Sequence, residues 1–355
     1  MSEAEGSLEA ARAALAEGEV EKARKLCEQQ LRKNKEDAAT KHLLGEIQLL
    51  LGKYPPGFAN LEARLDSKGS APAGMPPLWD GSPLTSQTLF IRHEGGLEES
   101  LQFCRYAPVI LRRYPQARLI LEVPAEAQEL IGRSFSRVDR VQVVAAGKGE
   151  VAPVQADLCL PLLSAPSRTQ TNINNVPSAK AYLYAKQPRR LADEKELSIG
   201  ISWRSSNPEH GKQYSLPLPK LARSLQHPGT RLINLQPGDT ESECRHLTRT
   251  EGIAVQNPKG VPDGTALGPW SDVVAGCDLI VSVDSPVAHL AGALGKETWV
   301  LLSHPPHWRW LLDRDDTPWY PTLRLLRQTH ANDWELMLPD LLDAIRERMA
   351  ARDAA

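Results

Sequence analysis

The stretch 281-VSVDSPVAHLAGALGKETWVLL-302 sets two apolar runs on either side of Asp284-Ser285-Pro286 and a small-residue segment from Ala288 to Gly295. An apolar run of strand length that stops on an acid, a hydroxyl and a proline reads as a strand feeding a helix. Ser285 suits the N-cap, and Pro286 suits the first helical position, where its missing N–H would have no partner anyway. That reading leaves the amides of Val287 and Ala288, with the helix dipole, aimed outward as an anion site. Ala288, Ala291, Gly292 and Ala293 let the helix lie close to a sheet. In open α/β sheets, ligands bind beyond the carboxyl ends of the strands, so a diphosphate would fit there. The plain alternative is a capped helix start that binds nothing.

Outward from this unit the same alternation repeats. Apolar runs stand at 88-TLFIRHEGG-96, 117-ARLILEV-123 and 138-VDRVQVV-144, with helix-like 97-LEESLQFCRYAPVILRRY-114 between the first two. The pattern weakens over 145–195, a charged crossover, and restarts with 197-LSIGISW-203, a helix around Leu218–Leu225, 231-RLINLQ-236 and 278-DLIVSVD-284. Strands alternating with helices mean βαβ units and parallel sheets. The predicted fold is therefore α/β, with two Rossmann-like domains facing a cleft, over 88–190 and 191–330, and a C-terminal helix over 331–355.

The chain has 355 residues, more than the roughly 250–300 at which one core stops growing, which also argues for several domains. Lys+Arg is 42 and Asp+Glu is 44, a net charge of −2 that gives no field for holding nucleic acid. Five scattered cysteines lack zinc-site spacing and suit reduced, buried thiols in a cytoplasm. No run approaches the ~20 apolar residues of a membrane span.

Residues 1–66 differ from the rest. Ala11, Ala14 and Leu15, then Ala23, Leu26, Cys27 and Leu31, then Leu43, Leu44, Ile47 and Leu50 fall at helical spacing, broken at Gly18 and Gly52. This predicts a short array of antiparallel helices similar to tetratricopeptide repeats, too few for a free-standing solenoid and so leaning on the next domain. Such helices form either a protein-docking groove or an extra packing element. Residues 67–87, rich in Gly, Pro and Ser, read as a linker.

The segment from Val274 to Leu302 and the following 304-HPPHWRWLLDRDDTPWYPTLRLLRQ-328 resemble the C-terminal half of the ADP-heptosyltransferase family (glycosyltransferase family 9) of GT-B glycosyltransferases. The resemblance runs from Leu78 onward and points to the bacterial branch that follows tetratricopeptide repeats, similar in plan to O-linked N-acetylglucosamine transferases. It implies a nucleotide-sugar transferase, inverting, without a nucleotide-bound metal or other cofactor. Asp284, Ser285, Pro286, Val287, Ala288 and His289 match its diphosphate-binding element. Trp203, Arg204 and Lys212 fall where the family has a polar loop and a phosphate-contacting basic residue, and Gln236 falls where it lines the nucleoside pocket. The branch's arginine before the serine is Tyr214 here. Trp308 and Trp310 read either as interaction surfaces or as packing, and His304 and His307 as structural rather than a metal pair. The implied partners are a nucleotide sugar and a protein or peptide acceptor docked by residues 3–66.

One departure stands out. Relatives read Gly-Leu-Gly-Asp-Thr-Ile-Gln-Phe after the first strand, whereas this chain has Gly96-Leu97-Glu98-Glu99-Ser100-Leu101-Gln102-Phe103. The family's aspartate is its general base, so Glu99 is the candidate here, with His93 second. Three readings follow: the transferase, a degenerate scaffold that keeps the cleft, and a dinucleotide binder, against which HEGGLEES lacks the Gly-x-Gly-x-x-Gly fingerprint.

Overall fold

A computed structural model describes residues 3–67, 74–147, 155–205, 211, 213–259, 266–331 and 333–353. The chain opens with helices α1 (Glu3–Ala16), α2 (Val20–Lys33), α3 (Ala38–Leu50), α4 (Tyr54–Leu61) and α5 (Arg64–Ser67). The first turn needs Gly18, at φ 81°, and the third needs Gly52, at φ 73°, a region that costs little only for glycine. Asp37 caps α3 by accepting from the Thr40 amide at 3.0 Å. Where α3 and α4 cross, a Cβ on Gly45 would lie 2.9 Å from both the Gly57 carbonyl oxygen and the Leu61 amide nitrogen. The helices therefore meet backbone to backbone. Gly45→Ala is expected to cost about 1–3 kcal/mol in urea unfolding, as overpacking typically does; an unchanged midpoint would show that the crossing relaxes freely.

The first sheet has order β3-β2-β1-β4, all parallel, from β1 (Thr88–Arg92), β2 (Arg118–Val123), β3 (Val141–Ala145) and β4 (Leu158–Pro161). The segment after β1 is two helices rather than one, α6 (Leu97–Phe103) and α7 (Tyr106–Arg113). Pro108 tolerates the first turn of α7 because no N–H is needed there. Helix α8 (Ala125–Phe135) joins β2 to β3, and the short α9 (Ala165–Arg168) follows β4. Part of the segment read as a linker joins this sheet: Leu78 bridges Cys159 in parallel, the Trp79 amide donates to the Cys159 carbonyl at 2.8 Å, and Trp79 is buried.

The second sheet, also parallel, has order β10-β9-β8-β5-β6-β7. Its elements in chain order are β5 (Leu197–Ser202), α10 (Leu218–Leu225), β6 (Thr230–Asn234), α11 (Glu241–Glu251), β7 (Val255–Gln256), α12 (Leu267–Gly276), β8 (Leu279–Val283), α13 (Pro286–Ala293), β9 (Thr298–Leu302), β10 (Leu323–Arg327) and α14 (Leu338–Asp353). Every residue of β5, β8 and β9 is buried, as strands covered by helices on both faces must be. The strand order reverses between β1 and β4 in one sheet and between β5 and β8 in the other, and crevices at such switch points take ligands.

The helical array is not a separate body. Its apolar residues, from Ala11 to Leu61, belong to the same buried cluster as the first sheet, α13 and Trp308, Trp310 and Trp319. Tyr54 stacks on Trp319 at 5.9 Å between ring centres, and Phe58 meets Trp308 edge-on at 6.1 Å. Arg64, in α5, makes paired hydrogen bonds to buried Glu94 at 2.9 and 2.8 Å and donates to Ser164 at 2.8 Å. Deleting residues 1–67 should therefore bare an aromatic face and take the Arg64 guanidinium away from buried Glu94. The expected outcome is an insoluble or molten remainder, and a cooperative, native-like melt of the truncated chain would contradict it.

Candidate functional site

The helices that follow the two switch-point strands, α6 after β1 and α13 after β8, pack against each other across the seam between the sheets. At that seam lie Glu99 from α6, Asp284 from the end of β8, His289 from α13, and Arg309 from a short 3-10 turn, Trp308–Trp310. Glu99 accepts from the Gly96 amide at 2.6 Å and is ion-paired with Arg309. Burial opposes ionisation of Glu99, yet the Arg309 guanidinium and the Gly96 amide together hold its carboxyl below the ordinary value. Glu98 and Asp284 move the other way: burial raises both, against the pull of Arg309.

Because the Glu99 value is depressed, its pairing contributes stability above the unfolded carboxyl value of about 4.3 and loses it as pH falls through the folded value.

Arg309 is 7% exposed, lies over the Trp308 ring at 5.1 Å, and sits 3.2 Å from His307 Nδ1. Its Nε has no hydrogen-bond partner. His289 is fully buried: Nδ1 lies 2.8 Å from the Tyr320 hydroxyl, the ring stacks on Trp310 at 5.2 Å, and Nε2 has no hydrogen-bond partner, with Asp284 Oδ1 at 3.9 Å. Burial first, and then Arg309, push both His289 and His307 well below the usual histidine value, so both rings are neutral at pH 7. Helix α3 of the array packs on the Trp308–Trp310 turn, and its Glu46 is among the charged neighbours of Arg309.

Two expectations at the start of α13 need correction. Ser285 occupies the N-cap position, but its hydroxyl bonds Ser282 Oγ at 2.9 Å and caps nothing. The Ala288 amide does not point outward, since it donates to the Ser285 carbonyl at 3.0 Å in a tightened first turn. Pro286 and Val287 are buried. The predicted residues at the end of β5 are also occupied. Trp203 is buried and donates from Nε1 to Glu243 at 3.2 Å, and Arg204 is 3.4 Å from the same carboxylate. Gln236 Oε1 accepts from Ser202 Oγ and from the amides of Trp203 and Arg204, tying β5 to β6. Lys212 lies outside the described residues. Tyr214 has Asp284 and Glu46 as charged neighbours. His93, at the end of β1, is 3.0 Å from Ser100 Oγ through Nδ1, and burial lowers its pKa while Glu122 pulls it upward. Trp308 and Trp310 are packing residues, both buried.

The residues that sequence reasoning passed over are Arg309, Tyr320 and Arg105. Arg105 is 2% exposed and has no carboxylate among its hydrogen-bond partners: it donates to the carbonyls of Gln102, Pro177 and Trp319 and to the Tyr182 hydroxyl, with the Tyr182 and Tyr320 rings 4.4 and 4.5 Å away. It pins the α6–α7 junction to the second half of the chain. The tripeptide Trp308-Arg309-Trp310 was the available signal, since a cation between two tryptophans invites burial.

No family model matches the chain. Protein FlbA of Caulobacter vibrioides is 27% identical over 360 residues, covering 94% of this chain, and the chain spans 60% of that protein's length. Among solved structures, a glycosyl transferase family 9 protein from Veillonella parvula aligns with a TM-score of 0.51 at 11% identity, over 76% of this chain and 98% of its own. The dodecameric iron-containing heptosyltransferase TibC, in complex with ADP-D-beta-D-heptose, aligns at 0.50 and 12% identity, over 76% of this chain and 78% of its own. The likeness is one of fold: two parallel sheets of the GT-B glycosyltransferase type.

Proposed function

We propose that this chain is a metal-independent, inverting glycosyltransferase that moves a sugar from a nucleoside diphosphate to a hydroxyl of a protein acceptor. The observation that supports this reading most is the meeting of Glu99 and Arg309 at the seam where both switch points converge. A carboxylate from one half and a cation from the other are what an in-line displacement at a sugar needs. Glu99 takes the proton of the acceptor hydroxyl as its oxygen forms the new bond to the anomeric carbon. The bond from that carbon to the β-phosphate oxygen breaks with its electron pair, and the nucleoside diphosphate leaves beside Arg309 and His289. An acceptor held along residues 3–66 is supported by α3, which lies on the turn that carries Arg309. The five cysteines are buried and free, which fits a reducing compartment.

A melt of the full chain with ADP, UDP or GDP tests the reading. A ligand at 100 times its Kd should stabilise by about 2.7 kcal/mol, and no shift with any of the three would sink it. One observation favours the alternative, a scaffold that has given up catalysis: Glu98 and Asp284 are half-buried carboxylates beside the place proposed for the phosphates, where like charge repels. Glu98→Gly with Glu99→Asp separates the two readings, since only a scaffold would gain activity from silence.

A further inference from the structure

The seam holds three carboxylates, Glu98, Glu99 and Asp284, around the Arg309 guanidinium, and all three are its electrostatic neighbours. Among the described residues at this seam, Arg309 is the cation on which they converge. Only Glu99 pairs with it directly, through one terminal nitrogen, while the buried Nε stays without a hydrogen-bond partner. A second buried nitrogen in the same cluster, His289 Nε2, is also without one. Unpartnered buried polar atoms cost about 1–3 kcal/mol each, so two in one cluster mark a place built for a polar guest. Nε and a terminal nitrogen of one guanidinium form a fork matched to two oxygens of a phosphate.

We propose that Arg309 is the residue that receives the donor's diphosphate, and that Glu99 occupies it as an internal stand-in until the donor displaces it. The proposal rests on the glycosyltransferase reading and deepens it. A phosphate that takes the fork of Arg309, and a hydrogen bond from His289 Nε2, satisfies both orphan nitrogens at once. Glu99 is then released from its cation, and its carboxyl, no longer held down by Arg309, becomes a stronger base for the acceptor hydroxyl. Donor binding and activation of the base thus become one event. The exchange moves no covalent bond: one anion leaves the guanidinium and another arrives.

Calorimetric titration of the full chain with ADP and UDP, alongside adenosine, uridine and inorganic pyrophosphate, tests the exchange in the parent, Glu99→Gln, Arg309→Lys and the double variant. Removing the competing anion should tighten nucleoside diphosphate and pyrophosphate binding in Glu99→Gln by about tenfold, whereas Arg309→Lys, which keeps the charge but loses the fork, should weaken it by about tenfold or more. Nucleoside binding should not change in either. The double variant should bind more tightly than Arg309→Lys but less tightly than Glu99→Gln, because the ammonium keeps the charge for which Glu99 competes and lacks the fork. Equal or weaker diphosphate binding in Glu99→Gln overturns the exchange, as does an unchanged affinity in Arg309→Lys, and both leave the transferase reading standing. Absence of binding by all four proteins overturns both.

Discussion

Arg105→Ala lowers the stability of the folded chain by about 3–5 kcal/mol, measured as a fall in the urea midpoint at constant slope. The guanidinium is fully enclosed, and its four oxygen partners come from three separate segments: Gln102 in α6, Pro177 and Tyr182 in the crossover, and Trp319 before β10. Truncation leaves these acceptors without a donor in the interior, at about 1–3 kcal/mol for each buried group that water cannot reach. It also opens a cavity between the Tyr182 and Tyr320 rings, which lose their cation. Lysine should rescue little, since one ammonium cannot meet carbonyls spread around a planar fork. A loss under 1 kcal/mol would mean that the two halves are held by their apolar contact alone.

Glu99→Gln leaves the fold intact and cuts sugar transfer by about 10²–10⁴-fold, the usual worth of a positioned general base. The amide oxygen of glutamine can still accept from the Gly96 amide, so the first turn of α6 is kept. What is lost is the ability to take a proton and the charge that pairs with Arg309. Turnover should therefore fall while nucleoside diphosphate affinity rises, a combination that simple damage to the site does not give. The pair Glu98→Gly with Glu99→Asp should keep or raise the rate of an active parent. Transfer by Glu99→Gln at the parental rate would move the base elsewhere, with His93 the next group to test.

Most of the sheet architecture was legible in the sequence, for a physical reason. Strands β5, β8 and β9 are buried on both faces and so read as runs of apolar and small residues without a charge, and the acid, hydroxyl and proline after β8 mark where the chain turns into α13. The site was legible only in part. The sequence pointed to Asp284, His289 and Glu99, all of which lie at the seam. It did not point to Arg309 or Arg105, because their decisive partners are 210 and 214 residues away, and no local periodicity encodes such contacts. The Ala288 amide was misjudged for the opposite reason. A tight first turn consumed it locally, which depends on backbone angles that residue types leave open. Trp79 was hidden by its neighbours, since proline, glycine and serine around it look like a linker even when one tryptophan anchors the segment to the sheet.

The most direct test of the account measures nucleoside diphosphate release by the full chain from a panel of ADP-, UDP- and GDP-linked sugars, with and without a protein acceptor. The account predicts that at least one sugar nucleotide supports release by the parent, that the acceptor gains sugar in step with it, and that Glu99→Gln abolishes most of both. It is contradicted if the parent releases nothing from any of them while the variant with Glu98→Gly and Glu99→Asp does, for the cleft would then belong to a scaffold that no longer transfers sugar.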